Sequence, residues 1–234
     1  MNHEQVPGLQ IVETADGSKT IYNPQVGENY HSKHGALQES KHVFVNSGLA
    51  YFLHNESRLM QEPAVSILEV GFGTGLNFLL SADFCVDEKV KLDYTGIEAY
   101  PLSSEMIGQT GYEKYISAEI WGNFLNHYQN SLIGTEAITP NCQLQIANCK
   151  LLNFQSAKKY DVIYFDAFAA TNQPEMWDKT AIAHTVQFLK PGGVFVTYAI
   201  TGNLKRAMKA LGFKVEKAQG APGKREMLRA VKLV

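Results

Sequence analysis

One stretch constrains this chain more than any other: Ile67-Leu68-Glu69-Val70-Gly71-Phe72-Gly73-Thr74-Gly75-Leu76-Asn77, with Tyr94-Thr95-Gly96-Ile97-Glu98-Ala99 following it. An apolar strand runs into three glycines, a helix-compatible segment follows, and a second strand ends in a carboxylate. Glycines at a strand end let the backbone approach a ligand where a Cβ would clash. A carboxylate closing the neighbouring strand can accept two hydrogen bonds from a ribose diol. The order therefore suits a nucleoside ligand. The spacing of Gly71, Gly73 and Gly75 is not the dinucleotide fingerprint, whose third glycine comes three residues after the second. No lysine opens the helix, which argues against a phosphate-binding P-loop.

From residue 64 onward, strand and helix patterns alternate. Strands are expected at 65–70, 92–97, 144–147, 162–165, 194–198 and 226–232, and helices at 76–84, 102–108, 117–127, 179–189 and 202–210. That alternation argues for an α/β fold, a mostly parallel sheet with helices on both faces. Lys190-Pro191-Gly192-Gly193 reads as a sharp stop after a helix that feeds the next strand. The first sixty residues differ. Residues 9–14 and 19–23 read as two strands joined by a turn at 15–18, a β-hairpin. A polar stretch holding Tyr30, His31, His34 and Glu39 comes next, and the apolar periodicity of 43–53 fits a strand or a helix entry alike. Residues 1–60 are thus expected as an N-terminal extension packed on a core domain of residues 61–234.

Composition narrows the function classes. No run of about eighteen apolar residues occurs, so no membrane span is expected, and the first ten residues lack the basic start and apolar centre of a signal peptide. Cys85, Cys142 and Cys149 show no Cys-x-x-Cys spacing and the histidines are scattered, so reduced thiols, a cytoplasmic location and no metal site are expected. The net charge of −2 conceals an asymmetry: residues 201–234 carry +7 and the first two hundred −9. A basic end on an acidic body suits a polyanion approaching from one side; a solvated surface with dispersed charges is the plainer reading.

In such sheets ligands sit beyond the carboxyl ends of the strands. The Glu-x-Gly-x-Gly-x-Gly strand end resembles the S-adenosylmethionine (SAM) site of class I methyltransferases, a Rossmann-like fold with a seven-stranded sheet. On that resemblance Glu69, Gly71, Phe72, Gly73 and Gly75 wall the methionine end and ribose, and Thr74 and Asn77 cap the helix or touch the ligand. Glu98 holds the ribose hydroxyls beside Ala99. Asn148 reaches the adenine amine, where such enzymes usually carry Asp, and Cys149 packs on the adenine or is a structural thiol. A second apolar strand ends at Phe165-Asp166, which places the Asp166 carboxylate toward the transferred methyl. Phe168, Met176 and Trp177 in the loop after it either wall a substrate or anchor the loop in the core.

Four segments together resemble the methyltransferase half of the MnmC family, bifunctional enzymes that modify the wobble uridine of certain bacterial tRNAs. These are 69–77, Glu98-Ala99-Tyr100-Pro101-Leu102, the loop of residues 165–177, and Gly223-Lys224-Arg225-Glu226-Met227-Leu228. The family's Phe-Ala-Pro-x-x-Asn-Pro-x-Met-Trp loop stands here with Ala170 for its first proline and Gln173 for the asparagine before Pro174. The resemblance implies methylation of 5-aminomethyl-2-thiouridine, or its oxygen analogue, to the 5-methylaminomethyl form. Asp166 would orient the amine and stabilise charge during transfer, with Tyr30 and Glu39 completing the pocket. Lys205, Arg206, Lys209, Lys224, Arg225 and Arg229 would contact tRNA phosphates. The family's FAD-dependent oxidase half has no counterpart after Val234, so the aminomethyl substrate is expected from elsewhere, including an oxidase acting in trans. Two other readings compete: an aminopropyltransferase of the spermidine-synthase type, and a catalytically silent SAM-fold protein that binds RNA or a partner.

Overall fold

A computed structural model describes residues 7–54 and 64–233. Strands β1 (Gln10–Glu13), β2 (Lys19–Asn23) and β3 (Glu28–Asn29) form a small antiparallel sheet in that order. The turn between β1 and β2 is fixed by Asp16, whose carboxylate accepts from the backbone N–H of Ser18 and, with its other oxygen, from that of Gln38. A helix follows: α1 (Ala36–Glu39) leads into eleven π-helical residues, Ser40–Ala50, and ends as α2 (Tyr51–Leu53). The open choice at 43–53 thus resolves as helix. It packs tightly on the sheet, since a Cβ at Gly48 would lie 2.8 Å from Val196 and 3.0 Å from Tyr164. The expected boundary between residues 60 and 61 lies outside the described residues.

The main sheet alternates with helices as the periodicity requires. In chain order come β4 (Ala64–Val70), α3 (Leu76–Asp87), β5 (Lys91–Glu98), α4 (Ser104–Gly108), α5 (Ala118–Ser131), β6 (Glu136–Thr139) and β7 (Cys142–Asn148). Then follow β8 (Tyr160–Phe165), α6 (Lys179–Val186), β9 (Leu189–Thr197), α7 (Gly202–Ala210), β10 (Phe213–Gln219) and β11 (Glu226–Lys232). The strand order is β10-β11-β9-β8-β4-β5-β7-β6. Pairings from β9 through β8, β4 and β5 to β7 are parallel; β11 and β6 run against their neighbours. One large core lies under α3, α5 and the N-terminal helix, and a second under α6 and α7, so both faces are covered.

Two expectations change. The sheet has eight strands rather than seven, because the short β6 folds back on β7 through an irregular pairing between Ala137 and Thr139. The Lys190-Pro191-Gly192-Gly193 run lies within β9 instead of before it. Tyr160 pairs with Leu189 and Val162 with Val194, so the proline, which has no N–H for the ladder, falls where the register breaks. Since β4 has β5 on one side and β8 on the other, the chain switches direction around β4, and a cleft opens beyond its carboxyl end.

Candidate functional site

The cleft is a cavity of about 670 Å³ above β4, β5, β7 and β8. Its floor is the glycine loop. Gly71, Gly73 and Gly75 have φ of 85°, 53° and 78°, the left-handed region that residues with a Cβ avoid. At Gly71 the need is steric as well, because a Cβ there would lie 2.5 Å from the Asp166 carbonyl oxygen. The loop is tied down by Glu98: Oε2 accepts from the Gly73 N–H at 2.9 Å and Oε1 from the Tyr100 N–H at 2.9 Å. Burial raises the Glu98 pKa, and the backbone donors of Tyr100, Gly73 and Ala99 oppose the rise. The carboxylate is thereby fixed at the cavity wall with lone pairs to spare.

Asp166 follows β8 and is half-buried at the same wall. Its N–H donates to the Val70 carbonyl at 2.8 Å, which locks the two strand ends together. Asn77, on the first turn of α3, donates from Nδ2 to Asp166 Oδ2 and to Glu69 Oε1, both at 2.8 Å. Glu69 is wholly buried and also accepts from the Tyr94 hydroxyl at 2.8 Å. Burial, then the Asp166 charge, holds Glu69 well above the usual carboxylate range. Burial also pushes Asp166 up to about 8, with Glu39 and Glu28 adding to the rise while Asn77 and Lys224 resist it.

The structure sorts the expected residues. Gly71, Gly73, Thr74, Glu98, Ala99, Cys149, Asp166, Tyr30, Phe168 and Met176 all line the cavity. Phe72 lines it too, but its ring turns inward among Phe78, Tyr94, Phe124 and Tyr128. Gly75 lies beneath the wall, against Phe72 and Phe124. Glu69 and Asn77 are buried behind it and touch Asp166's network rather than the open space. Asn148 ends β7 on an exposed position off the lining, which passes instead through Cys149, Lys150 and the single turn Leu151–Asn153. Trp177 is a loop anchor: its indole donates to the Phe168 carbonyl at 2.7 Å and its ring packs on Phe165 and Tyr198. Glu39 is buried behind the wall, paired with Lys224 at 2.7 Å.

The expected phosphate contacts divide similarly. Lys224 turns inward to Glu39 and lies 3.8 Å over the Tyr198 ring. Arg229 pairs with Glu216 at 2.9 Å. Among the described residues Lys205, Arg206 and Lys209 on α7 and Arg225 form no salt bridge, and α7 starts at the edge where β9 delivers the chain to the site.

Other contributors carry no motif. Glu28 on β3 accepts from the Ala169 N–H at 3.0 Å and from Asn172 Nδ2 at 2.8 Å, clasping the loop after Asp166 to the N-terminal sheet. Tyr30 packs edge-on against Phe168, centroids 5.1 Å apart. His31 lines the cavity with Nδ1 2.9 Å from the Thr20 hydroxyl, which already accepts from the His31 N–H and so can donate to the ring. Burial lowers its pKa to about 4, which leaves the imidazole neutral.

The lining holds four carboxylates, Glu98, Asp166, Glu175 and Asp178, against one lysine, Lys150. A positive ligand fits that balance, and SAM carries a sulfonium. Apolar walls of Val70, Ile97, Leu151 and Leu152 beside the ribose-ready Glu98 fit its nucleoside. Among the described residues no group of His, Cys, Asp and Glu is placed to hold a metal ion, and no helix is long and apolar enough to cross a membrane.

Comparison with known proteins agrees with this geometry. The chain is 27% identical over 245 residues to the tRNA 5-methylaminomethyl-2-thiouridine biosynthesis bifunctional protein MnmC of Magnetococcus marinus, covering 99% of this chain and 36% of that protein. It is 30% identical over 216 residues to the protein of the same name in Leptospira interrogans, covering 89% and 33%. The chain thus spans about a third of the length of the curated relatives it matches. The crystal structure of MNMC2 from Aquifex aeolicus superposes with a TM-score of 0.73 at 23% identity, over 98% of this chain and 71% of that one, and shares the fold. Residues 116–233, half of the chain, match a family described as S-adenosyl-L-methionine-dependent methyltransferase. The strand end with the glycine loop lies outside that matched half, yet the two halves build one sheet and one cavity, and the chain belongs to the S-adenosyl-L-methionine-dependent methyltransferases.

Proposed function

We propose that this methyltransferase acts on the wobble uridine of tRNA, converting the primary amine of 5-aminomethyl-(2-thio)uridine to the methylamine. The observation that carries the reading is Asp166, half-buried in an acidic cavity next to the glycine loop. The names of the relatives above support the tRNA substrate. When bound, SAM supplies an electrophilic methyl that the neutral amine takes with loss of one proton, leaving the thioether.

In this reading Gly71, Gly73 and Thr74 hold the methionine end, Glu98 and Ala99 the ribose, and Cys149 with Leu151 the adenine. Tyr30, Phe168 and Met176 wall a splayed-out base, whose stacking on aromatic rings is a general mode of RNA recognition. Asp166 accepts hydrogen bonds from the amine and faces positive charge as it moves from sulfur to nitrogen. Its raised proton affinity also suits it to take the amine's proton. An alkyl ammonium titrates near 10. An ordinary carboxylate lies about six units lower, a transfer costing about 8 kcal/mol; a carboxyl at about 8 narrows the gap to about two units and 3 kcal/mol. With the chain divided into an extension of 1–60 and a domain of 61–234, the described residues 7–54 of the extension roof the cavity through Tyr30 and His31. The α7 cations Lys205, Arg206 and Lys209, with Arg225, meet the phosphates, and the reaction belongs to the cytoplasm. The aminomethyl group comes from the enzyme that installs the side chain or from an FAD-dependent oxidase acting in trans.

The test is methyl transfer from labelled SAM to tRNA lacking the final methyl, followed by nucleoside analysis. Formation of 5-methylaminomethyluridine, lost in Asp166→Ala, is expected. No incorporation into correctly aminomethylated tRNA, with SAM binding intact, would rule out the tRNA substrate and direct attention to free amines.

A further inference from the structure

The C-terminal loop before β11 places a cation behind the reactive wall. Lys224 Nζ lies 2.7 Å from Glu39 Oε2 and 3.8 Å above the centre of the Tyr198 ring. Both partners are held. Glu39 Oε1 accepts from the Ser32 N–H at 3.0 Å, and the Tyr198 hydroxyl donates to the Ala167 carbonyl at 2.8 Å. Ala167 is the residue after Asp166. Gly223 in the same loop packs so closely on His34 that a Cβ there would overlap the imidazole. A lysine meant for a phosphate would be expected to keep its ammonium free in solvent; this one is half-buried and held between a carboxylate and a π face.

We propose that Lys224 is a positioning residue of the methyl-transfer centre, fixing the Asp166 backbone through Tyr198 and Ala167 and lending Asp166 positive charge, rather than a tRNA contact. The groups facing Asp166 come from every element around it: Asn77 on α3, Glu69 on β4, Glu39 on α1, Glu28 on β3, Tyr198 after β9, and Lys224. Three of these are carboxyls and Lys224 is the cation. Without it, Asp166 would share a buried space with like charges and hold its proton to higher pH. An Asp166 that stays protonated can neither face a sulfonium nor accept the amine's proton. The assignment rests on the proposed amine transfer, but its test separates the two.

The measurement is calorimetric affinity for SAM and for S-adenosylhomocysteine across pH, in the wild type, Lys224→Met, Lys224→Arg and Glu39→Gln. The two ligands share nucleoside and amino acid, so the ratio of their affinities reads the sulfonium charge against Asp166. In the wild type that ratio should rise through about pH 8. Lys224→Met should move the midpoint up by about one unit, Lys224→Arg should restore it, and Glu39→Gln should move it down. A midpoint that Lys224→Met leaves in place overturns the proposal, whatever happens to tRNA affinity, and so does a flat wild-type ratio. If Lys224→Met does not fold, Lys224→Gln is read in its place, and an unmoved midpoint there overturns the proposal equally. Should the midpoints move as stated while the wild type methylates no tRNA, the tRNA reading fails and the role of Lys224 stands.

Discussion

Asp166 and His31 are the two side chains whose protons report on the site. Asp166 titrates at about 8 in the folded chain against 3.8 in a model carboxyl, so the folded state binds more protons than the unfolded one between those values. Stability of the ligand-free protein contributed by this group is therefore full below pH 3.8 and lost as pH rises through about 8. Binding SAM, a cation, should release protons near neutrality, measurable as a dependence of the binding heat on buffer ionisation enthalpy; Asp166→Asn should abolish that dependence and lower kcat about 10²-fold or more. His31 works in the opposite direction. Its folded value of about 4 lies below the unfolded 6.5, so the unfolded state binds more protons in that window and stability falls as pH drops through it. The full loss is about 3 kcal/mol. Asp166 gains stability over the same window, so the His31 share is read as a difference: between about pH 7 and pH 4.5 the wild type should lose more thermal stability, or gain less, than His31→Gln.

Among elements, the glycine loop and the loop after β8 behave differently under substitution. Gly71→Ala brings a Cβ against the Asp166 carbonyl in a left-handed conformation, so it should weaken SAM binding at least about tenfold while the chain still folds. Glu28→Gln loses the carboxylate that receives both Ala169 and Asn172. It should cost about 1–2 kcal/mol and raise proteolytic cleavage between residues 168 and 177 in limited digestion. These elements also mark what could be read from the chain. Gly71, Gly73, Thr74, Glu98 and Asp166 were legible because each sits at a strand end announced by its own neighbours. Glu69 and Asn77 were legible as important, but Asn77 contacts Asp166 and Glu69 contacts Asn77 and Tyr94 rather than the cavity, and spacing along one strand and helix cannot reveal a side chain's partner 89 residues away. Glu28, whose partners are 141 and 144 residues distant, left no local signal at all. β10 escaped notice because its half-exposed, lysine-bearing face lacks an apolar run, and β6 because four residues carry too little pattern.

At the scale of the whole molecule, the charge asymmetry of the sequence becomes a division of labour. Several C-terminal cations have partners within the chain: Arg229 and the exposed Lys214 with Glu216, the exposed Lys217 with Glu226, Lys224 with Glu39, and Lys232 with the carbonyls of Val186 and Leu189. Those left for a polyanion are Lys205, Arg206 and Lys209 on α7, with Arg225. Replacing the three α7 cations by alanine should weaken tRNA binding at low salt and reduce the slope of log affinity against log salt by about 2–3, leaving SAM affinity unchanged. The placement of Lys224 has a consequence for the order of events at birth. Its partner Glu39 stands 185 residues earlier, so the ion pair behind Asp166 cannot close until residue 224 has left the ribosome's exit tunnel. The glycine loop and Asp166 will by then be outside the exit tunnel, with the acidic pocket unbalanced. Until residue 224 has emerged, the carboxyls around Asp166 lack this counter-charge, and the role proposed for Asp166 is withheld.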